Sequence, residues 1–145
     1  MKQTSNTVPC ACTTIRKANR SLFRFYEKAM AGTGVSITQF SILRALNRKG
    51  PTALSVLADT LVMERTSLYR TIAPMVEGGS IALANGNNKK IKVAALTPAG
   101  TARMESAKPQ WEAAQQQFTA AIGEDEWTAL SSLLLSVPTI VSDLK

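Results

Sequence analysis

Histidine is missing from the sequence altogether, and cysteine occurs only twice, as Cys10 and Cys12. The first absence removes the commonest general base and metal ligand. Two thiols one residue apart are too few and too close for a disulfide framework. Without histidine they form no zinc site within one chain, and only thiolates pooled from two chains would make one, so no metal is expected. No run approaches the roughly 20 apolar residues of a membrane span. The opening MKQTSNTVP has no apolar signal core, so no membrane partner and a cytoplasmic location are expected. Acidic residues are also scarce, 10 against 17 Lys and Arg. Three of them, Glu124, Asp125 and Glu126, cluster where a helix starts, and carboxylates there stabilise the helix dipole. With no nucleophile–base pair and no phosphate-cradling glycine loop, neither catalytic residues nor a cofactor is expected.

What is present is a folded, basic chain. Its 145 residues are 45% hydrophobic and carry a net charge of +7, enough for one core but not two large ones. A basic surplus favours a polyanionic partner through phosphate neutralisation and counterion release.

Residues 1–9 read as a flexible polar tail. A long helical pattern follows from about Cys10 to Met30, with Ile15, Leu22, Tyr26 and Ala29 on one face. Lys17, Arg20, Arg24 and Lys28 make a basic stripe beside it, and Gly32-Thr33-Gly34 ends the helix. Ser36 or Thr38 caps a second helix with Phe40, Leu43 and Leu46 inward, broken by Gly50-Pro51. Thr52 is the expected cap of a third helix, whose Leu54, Leu57, Ala58 and Leu61 pack inward.

The stretch VMERTSLYRTIAPMVEGG, residues 62–79, follows after only a short turn. Leu68, Ile72, Met75 and Val76 form its apolar stripe, while Thr66, Arg70, Ala73 and Glu77 face the other way, flanked by Ser67 and Tyr69. Two helices joined this tightly form a helix-turn-helix, whose second helix suits the major groove. Pro74 lies inside that helix and is expected to bend it. Two alternating strands follow, residues 80–84 and 91–95, around the cationic tip Asn85-Gly-Asn-Asn-Lys-Lys90. Such a ribbon is a wing, whose lysines reach phosphates or the minor groove. Thr97 and Pro98 then open a long helix to about Ala121, bent near Pro109. A last helix from about Glu124, bent at Pro138, carries Trp127, Leu130, Leu133, Leu134, Val137, Ile140, Val141 and Leu144. That apolar surface packs on the first helix of the same chain or interlocks with a second subunit.

This order, with the phrases SITQFSILRAL (36–46), LADTLVMERTSLYRTIAPMVEGGSI (57–81) and ALTPAG (95–100), resembles the MarR family of winged-helix transcriptional regulators. The fold class expected is mainly α with a two- or three-stranded β-wing. The winged helix-turn-helix lobe spans 35–97, and the first helix (10–34) and the C-terminal helices (98–145) form a dimerisation domain. The resemblance implies a homodimer on a pseudo-palindromic double-stranded operator, usually a repressor released by a small molecule or by thiol oxidation. Its reading-helix positions fall on Arg65, Thr66, Ser67, Tyr69 and Arg70, of which Arg65 lies near the edge of the apolar stripe. The family's Asp-Arg-Arg wing triplet aligns with Asn88, Lys89 and Lys90, with Lys92 pointing outward beyond it. Lysine lacks the planar fork and asparagine forms no ion pair, so a looser wing with weaker minor-groove readout is expected. Val62 stands where the family often has glycine, and a β-branched residue is expected to keep negative φ there.

Part of the family opens with a similar CxC phrase, and thiol-sensing relatives carry a reactive cysteine near this helix start. Cys10 and Cys12 are therefore candidate redox sensors, activated by the helix N-terminus with Arg16 and Lys17. Residues i and i+2 point to different sides of a helix, so a disulfide between subunits or frayed segments is favoured over one within the helix. Relatives hold small aromatic or anionic effectors between the dimer helices and the reading lobe. Phe23, Tyr26, Phe40 and Trp111 are the candidates for such a pocket and equally good core. The alternative from another class is a winged-helix protein-interaction module whose basic wing is merely solvated.

Overall fold

A computed structural model describes residues 8–144, so most of the expected tail, residues 1–7, lies outside the described residues. The elements in order are α1 (Ala11–Met30), α2 (Ile37–Lys49), β1 (Thr52–Ala53), α3 (Leu54–Leu61) and α4 (Arg65–Glu77), then β2 (Ile81–Asn85), β3 (Lys92–Leu96), α5 (Pro98–Ile122) and α6 (Glu124–Asp143). The fold is therefore mainly helical, with a small antiparallel sheet in the order β1-β3-β2.

The starts of α2 and α5 follow the expected local chemistry. Ser36 Oγ accepts from the Gln39 N–H at 3.1 Å, and Gln39 Oε1 accepts from the Ser36 N–H at 3.1 Å, a closed capping box. Thr97 Oγ1 accepts from the Gly100 N–H at 3.0 Å, with Pro98 in the first helical position. Pro74, Pro109 and Pro138 sit inside helices that continue past them, each at the loss of one backbone bond.

Two expectations need correction. Thr52 does not cap α3. It is buried in β1, pairs with Ala94 of β3, and its hydroxyl donates to the Gly50 carbonyl at 2.8 Å. Ala53 occupies the cap position with no side-chain bond. The extra strand arises because the chain leaving Gly50-Pro51 is extended and passes beside β3, so its backbone groups are satisfied by pairing. Val62, in turn, has positive φ, 52° with ψ 44°, the one non-glycine residue so placed among those described. The tight turn demands it: the Val62 N–H donates to Asp59 at 3.2 Å and the Met63 N–H to Ala58 at 2.9 Å, a left-handed helix end. The turn geometry overrides the side-chain preference.

The core lies where α2, α3, α4 and the sheet meet. Phe40, Ile42, Leu43 and Leu46 of α2 pack with Leu57 of α3, Leu68 and Ile72 of α4, and Ile81 of β2. Met104 and Ala107 bring the N-terminal half of α5 into the same cluster. The two ends of the chain contrast with this. All of α1 from Ala11 to Ser21 is exposed, and α6 has no buried residue. Leu133 is 67% and Leu135 81% exposed, because within this chain α6 packs chiefly on α5. No helix of the described residues is long and apolar enough to cross a membrane.

The strain at Val62 is testable. Its side chain is 70% exposed, so little packing is lost on truncation. A left-handed conformation costs an L-residue about 1–2 kcal/mol, against roughly 0.5–1 kcal/mol for the added freedom of an unfolded glycine. Val62→Gly is expected to raise stability by up to about 1 kcal/mol in denaturant titration. A lower midpoint would show that the turn carries no such strain.

Candidate nucleic-acid interface

The roll of α4 about its axis is fixed by burial of Leu68, Ile72 and Met75. Thr66, Ser67, Arg70, Ala73 and Glu77 consequently project into solvent, with Tyr69 at the flank. Arg65 is also exposed, because it occupies the first position of α4. The Thr71 hydroxyl donates back to the Ser67 carbonyl at 2.9 Å and so leaves the outer face to its neighbours.

The wing is the hairpin of β2 and β3, in register Ile81↔Leu96 through Asn85↔Lys92. Its tip is closed by the Gly86 N–H on the Ile91 carbonyl at 2.7 Å and the Ile91 N–H on the Asn88 carbonyl at 3.1 Å. The Asn88 side chain accepts from the Lys90 N–H at 2.9 Å, so it shapes the turn. Lys92 Nζ donates to Asn85 Oδ1 at 2.6 Å across the strands. That neutral-to-cation bond links the two strands just below the tip and braces the wing there. Lys89 and Lys90 stand exposed at the tip.

Between α4 and the wing lies an open cleft of about 800 Å³. Arg65, Lys90 and Lys92 bring positive charge to it, Glu77 lines it as well, and Tyr69, Ile72, Leu83 and Ile91 form apolar wall. The structure thus brings Arg65, Tyr69, Lys90 and Lys92 together. Thr66, Ser67, Arg70, Asn88 and Lys89 lie outside this cleft, the first three on α4 and the last two at the wing tip.

Helical and strand periodicity do not reveal how the base of α4 is held. The turn from α4 to β2, Gly78-Gly79-Ser80, is held against α5. Arg103 Nη1 donates to the Gly78 carbonyl at 2.8 Å and to the Ser80 hydroxyl. Thr97 donates through its hydroxyl to Gly79 and through its N–H to the Ser80 carbonyl at 3.2 Å. Gly100 permits the approach: a Cβ there would lie 2.0 Å from the Ser80 carbonyl oxygen. The phrase TPAG, three residues before Arg103, was the available signal.

Similar solved structures include the M. tuberculosis transcriptional regulator MosR in complex with DNA, 30% identical, covering 94% of this chain and 100% of that one with a TM-score of 0.81. Wild-type E. coli MarR shares the fold at 21% identity and a TM-score of 0.71, covering 90% of this chain and 98% of its own. The chain belongs to the MarR family. The family is one of transcriptional regulators and not of enzymes. The repressor CouR, solved on a 23-mer DNA duplex, has the same fold at 20% identity, covering 89% of this chain and 92% of its own with a TM-score of 0.80. No family model matches the chain, and neither does any curated protein.

The effector candidates of this MarR-family chain are only partly assembled. Phe40 and Trp111 stack with centroids 5.5 Å apart, and the Arg44 guanidinium lies 4.2 Å above the Trp111 ring. They border a cavity of about 200 Å³ with Arg48, Glu105 and Lys108. Binding pockets usually hold about 300–1,000 Å³, so one chain alone supplies at most part of one. Tyr26 and Phe23 do not line it. Tyr26 donates to Gln115 Oε1 and packs edge-on against Phe25, and Phe23 is 44% exposed on α1. Arg44, Arg48 and Lys108 went unread because α2 and α5 meet only in three dimensions.

Both cysteines are free and exposed at the start of α1. The Thr13 backbone N–H and then the Thr13 hydroxyl favour the thiolate of Cys10 and, against an opposing desolvation and with the Cys12 N–H adding to them, hold its pKa below the ordinary thiol value. Alkylation of Cys10 by iodoacetamide should accordingly show a pH midpoint below that of the same cysteine in the unfolded chain. A midpoint at or above that value in the folded protein would remove the chemical basis for sensing at Cys10.

Proposed function

We propose that this protein is a homodimeric, sequence-specific DNA-binding repressor of the cytoplasm, with α4 reading the major groove and the wing gripping the flanking backbone. The observation that carries the reading is the pairing of two exposed surfaces: the Thr66–Ser67–Arg70 face of α4, and a lysine-tipped wing across a cleft edged by Arg65, Lys90 and Lys92. The net charge of +7 and likeness to MosR, which was solved with DNA, support the same partner. Arg70 and Thr66 are assigned to base edges, and Arg65, Ser67 and Tyr69 to bases or adjoining phosphates. Lys89 and Lys90 are assigned to phosphate or the minor groove. Asn88 and Lys92 contribute mainly by shaping and bracing the wing.

The dimer is assigned to residues 10–34 and 98–145, around the reading lobe of 35–97. Its support is the apolar surface of α6 and its cap, exposed within one chain at several positions from Leu130 to Leu144. Two lobes then meet a pseudo-palindromic operator with half-sites about 34–36 Å apart. Release is assigned to a small aromatic or anionic effector bound near Trp111 and Arg44, or to thiol oxidation. In the latter, a peroxide takes the Cys10 thiolate to a sulfenic acid, releasing hydroxide, and a second thiol displaces water to form a disulfide. CouR has been solved bound to p-coumaroyl-CoA, an aromatic anionic ligand for a protein of this fold.

Selection of bound DNA from a random pool, followed by titration over salt, tests the reading. Log affinity should fall steeply and linearly with log salt. Arg70→Ala is expected to cost about 1–3 kcal/mol at one base position of each half-site, while Lys89→Ala and Lys90→Ala should weaken all sequences alike and each lower the salt slope of the dimer by about 2, one contact per lobe. Uniform loss across all sequences for Arg70→Ala would assign it to phosphate instead. A dimer that selects no sequence at all would make the chain an interaction module. Sedimentation at micromolar concentration should give a dimer, and Leu133→Glu should shift it toward monomer.

A further inference from the structure

We propose that Arg103 is a positioning residue that fixes the tilt of α4 against α5 and thereby the half-site spacing the dimer accepts. This rests on the DNA-reading assignment above and goes beyond it to the geometry of the whole dimer.

The reading residues Thr66, Ser67 and Arg70 occupy the first two turns of α4, whereas the hydrogen bonds to α5 are all at its other end. Burial of Leu68, Ile72 and Met75 fixes which face of α4 is outward. The buried stripe fixes the roll of α4, and polar contacts at the helix ends add to the packing in holding its tilt. At the N-terminal end Glu64 makes no side-chain cap bond. At the C-terminal end, Arg103 spans 25 residues in sequence to reach the Gly78 carbonyl and 23 to reach the Ser80 hydroxyl. Thr97 and Gly100 press the same turn onto α5.

The guanidinium suits this place. The last carbonyls of a helix carry partial negative charge, and a cation's hydrogen bond to them is stronger than a neutral one. No carboxylate competes for it: the one ion pair between side chains of the described residues joins Lys108 and Glu112. Ser80 is buried, so its bond to Arg103 is little contested by water. α4 is 13 residues long, or about 20 Å at the usual rise. Each 3° of tilt about its C-terminal end therefore moves the reading end by about 1 Å, more than the roughly 0.5 Å window of a good hydrogen bond. Because α5 continues into the surface assigned to dimerisation, the same tilt sets the distance between the two reading helices.

The test measures affinity of the full-length dimer for its selected operator and for duplexes with the half-sites moved by plus or minus one base pair. The wild type should discriminate against altered spacing by tenfold or more. Arg103→Met, which keeps the length of the stem, should bring that ratio below threefold with an unchanged salt slope, since Arg103 is assigned no phosphate. Arg103→Lys, which keeps a donor, should lie between them. Ser80→Ala removes one acceptor with little change of volume and carries the same comparison if Arg103→Met fails to fold. Retention of strict spacing by these variants, or equal weakening at every spacing, overturns the inference alone. A wild-type dimer that selects no operator overturns the DNA-reading assignment and this inference with it.

Discussion

Everything outward-facing in the lobe depends on the burial of Leu68 and Ile72 against Phe40, Leu43 and Leu57. Each such side chain contributes about 1.5–3 kcal/mol on leaving water, far more than any single bond at the surface of α4. Because the stripe recurs at helical spacing, burying it leaves Thr66 and Arg70 no choice but solvent. A one-residue slip of α4 would bring Tyr69 and Ala73 inward and turn Leu68 out. The identity of the exposed face is thus a consequence of the core and needs no surface interaction to maintain it.

The core fixes a face, but polar contacts fix the frame around it. At Gly78–Ser80, the carbonyls of the turn after α4 accept from Arg103 of α5 and from the side chain and backbone of its cap Thr97, which satisfies groups the turn would otherwise leave to water. At the wing, Asn85 and Lys92 join two strands whose other exposed residues do little to hold register. β1 adds two residues of pairing to the far edge of β3 and so ties the wing to the start of α3. Each device is small. Together they connect α4, the wing and α5 in one frame.

The sequence made the order of elements plain, because helical and strand periods differ and the punctuating residues, Gly50-Pro51, Gly78-Gly79 and Thr97-Pro98, are unambiguous. The outer face of α4 was legible for the same reason: periodicity alone separates Leu68 from Arg70. Less legible was whatever depended on a partner far along the chain. Thr52 looked like a cap because its hydroxyl precedes a helix, and only its pairing with Ala94 shows otherwise. Val62 looked incompatible with positive φ because local preference was the only guide, whereas the bonds to Ala58 and Asp59 decide it. Periodicity makes Lys92 an outward-pointing lysine of the wing, and its bond to Asn85 becomes visible only when the register is known. Arg103 carried no local signal of its own, since an arginine inside a long helix is ordinarily solvated.

The division between a dense lobe and two exposed terminal helices bears on how the molecule is held together. The main core cluster draws on residues from Met30 to Ala107, while α6 buries none and α1 is exposed over its first half. An exposed helix of that kind gains little from its own chain beyond α5, and intrinsic helix propensity is a weak source of stability. On the proposed dimer, these helices are stabilised by the second copy, and their order depends on protomer concentration. The basic stripe of α1 adds a constraint: Lys17, Arg20, Arg24 and Lys28 repel their counterparts unless they stay in solvent or meet the acidic first turn of α6. The apolar face of α1, with Ile15 and Phe23 exposed in one chain, is then the face left for the partner. On the proposed dimer the chain separates its tasks: the lobe keeps its shape through its own core, and the spacing of two lobes is left to surfaces that only association completes.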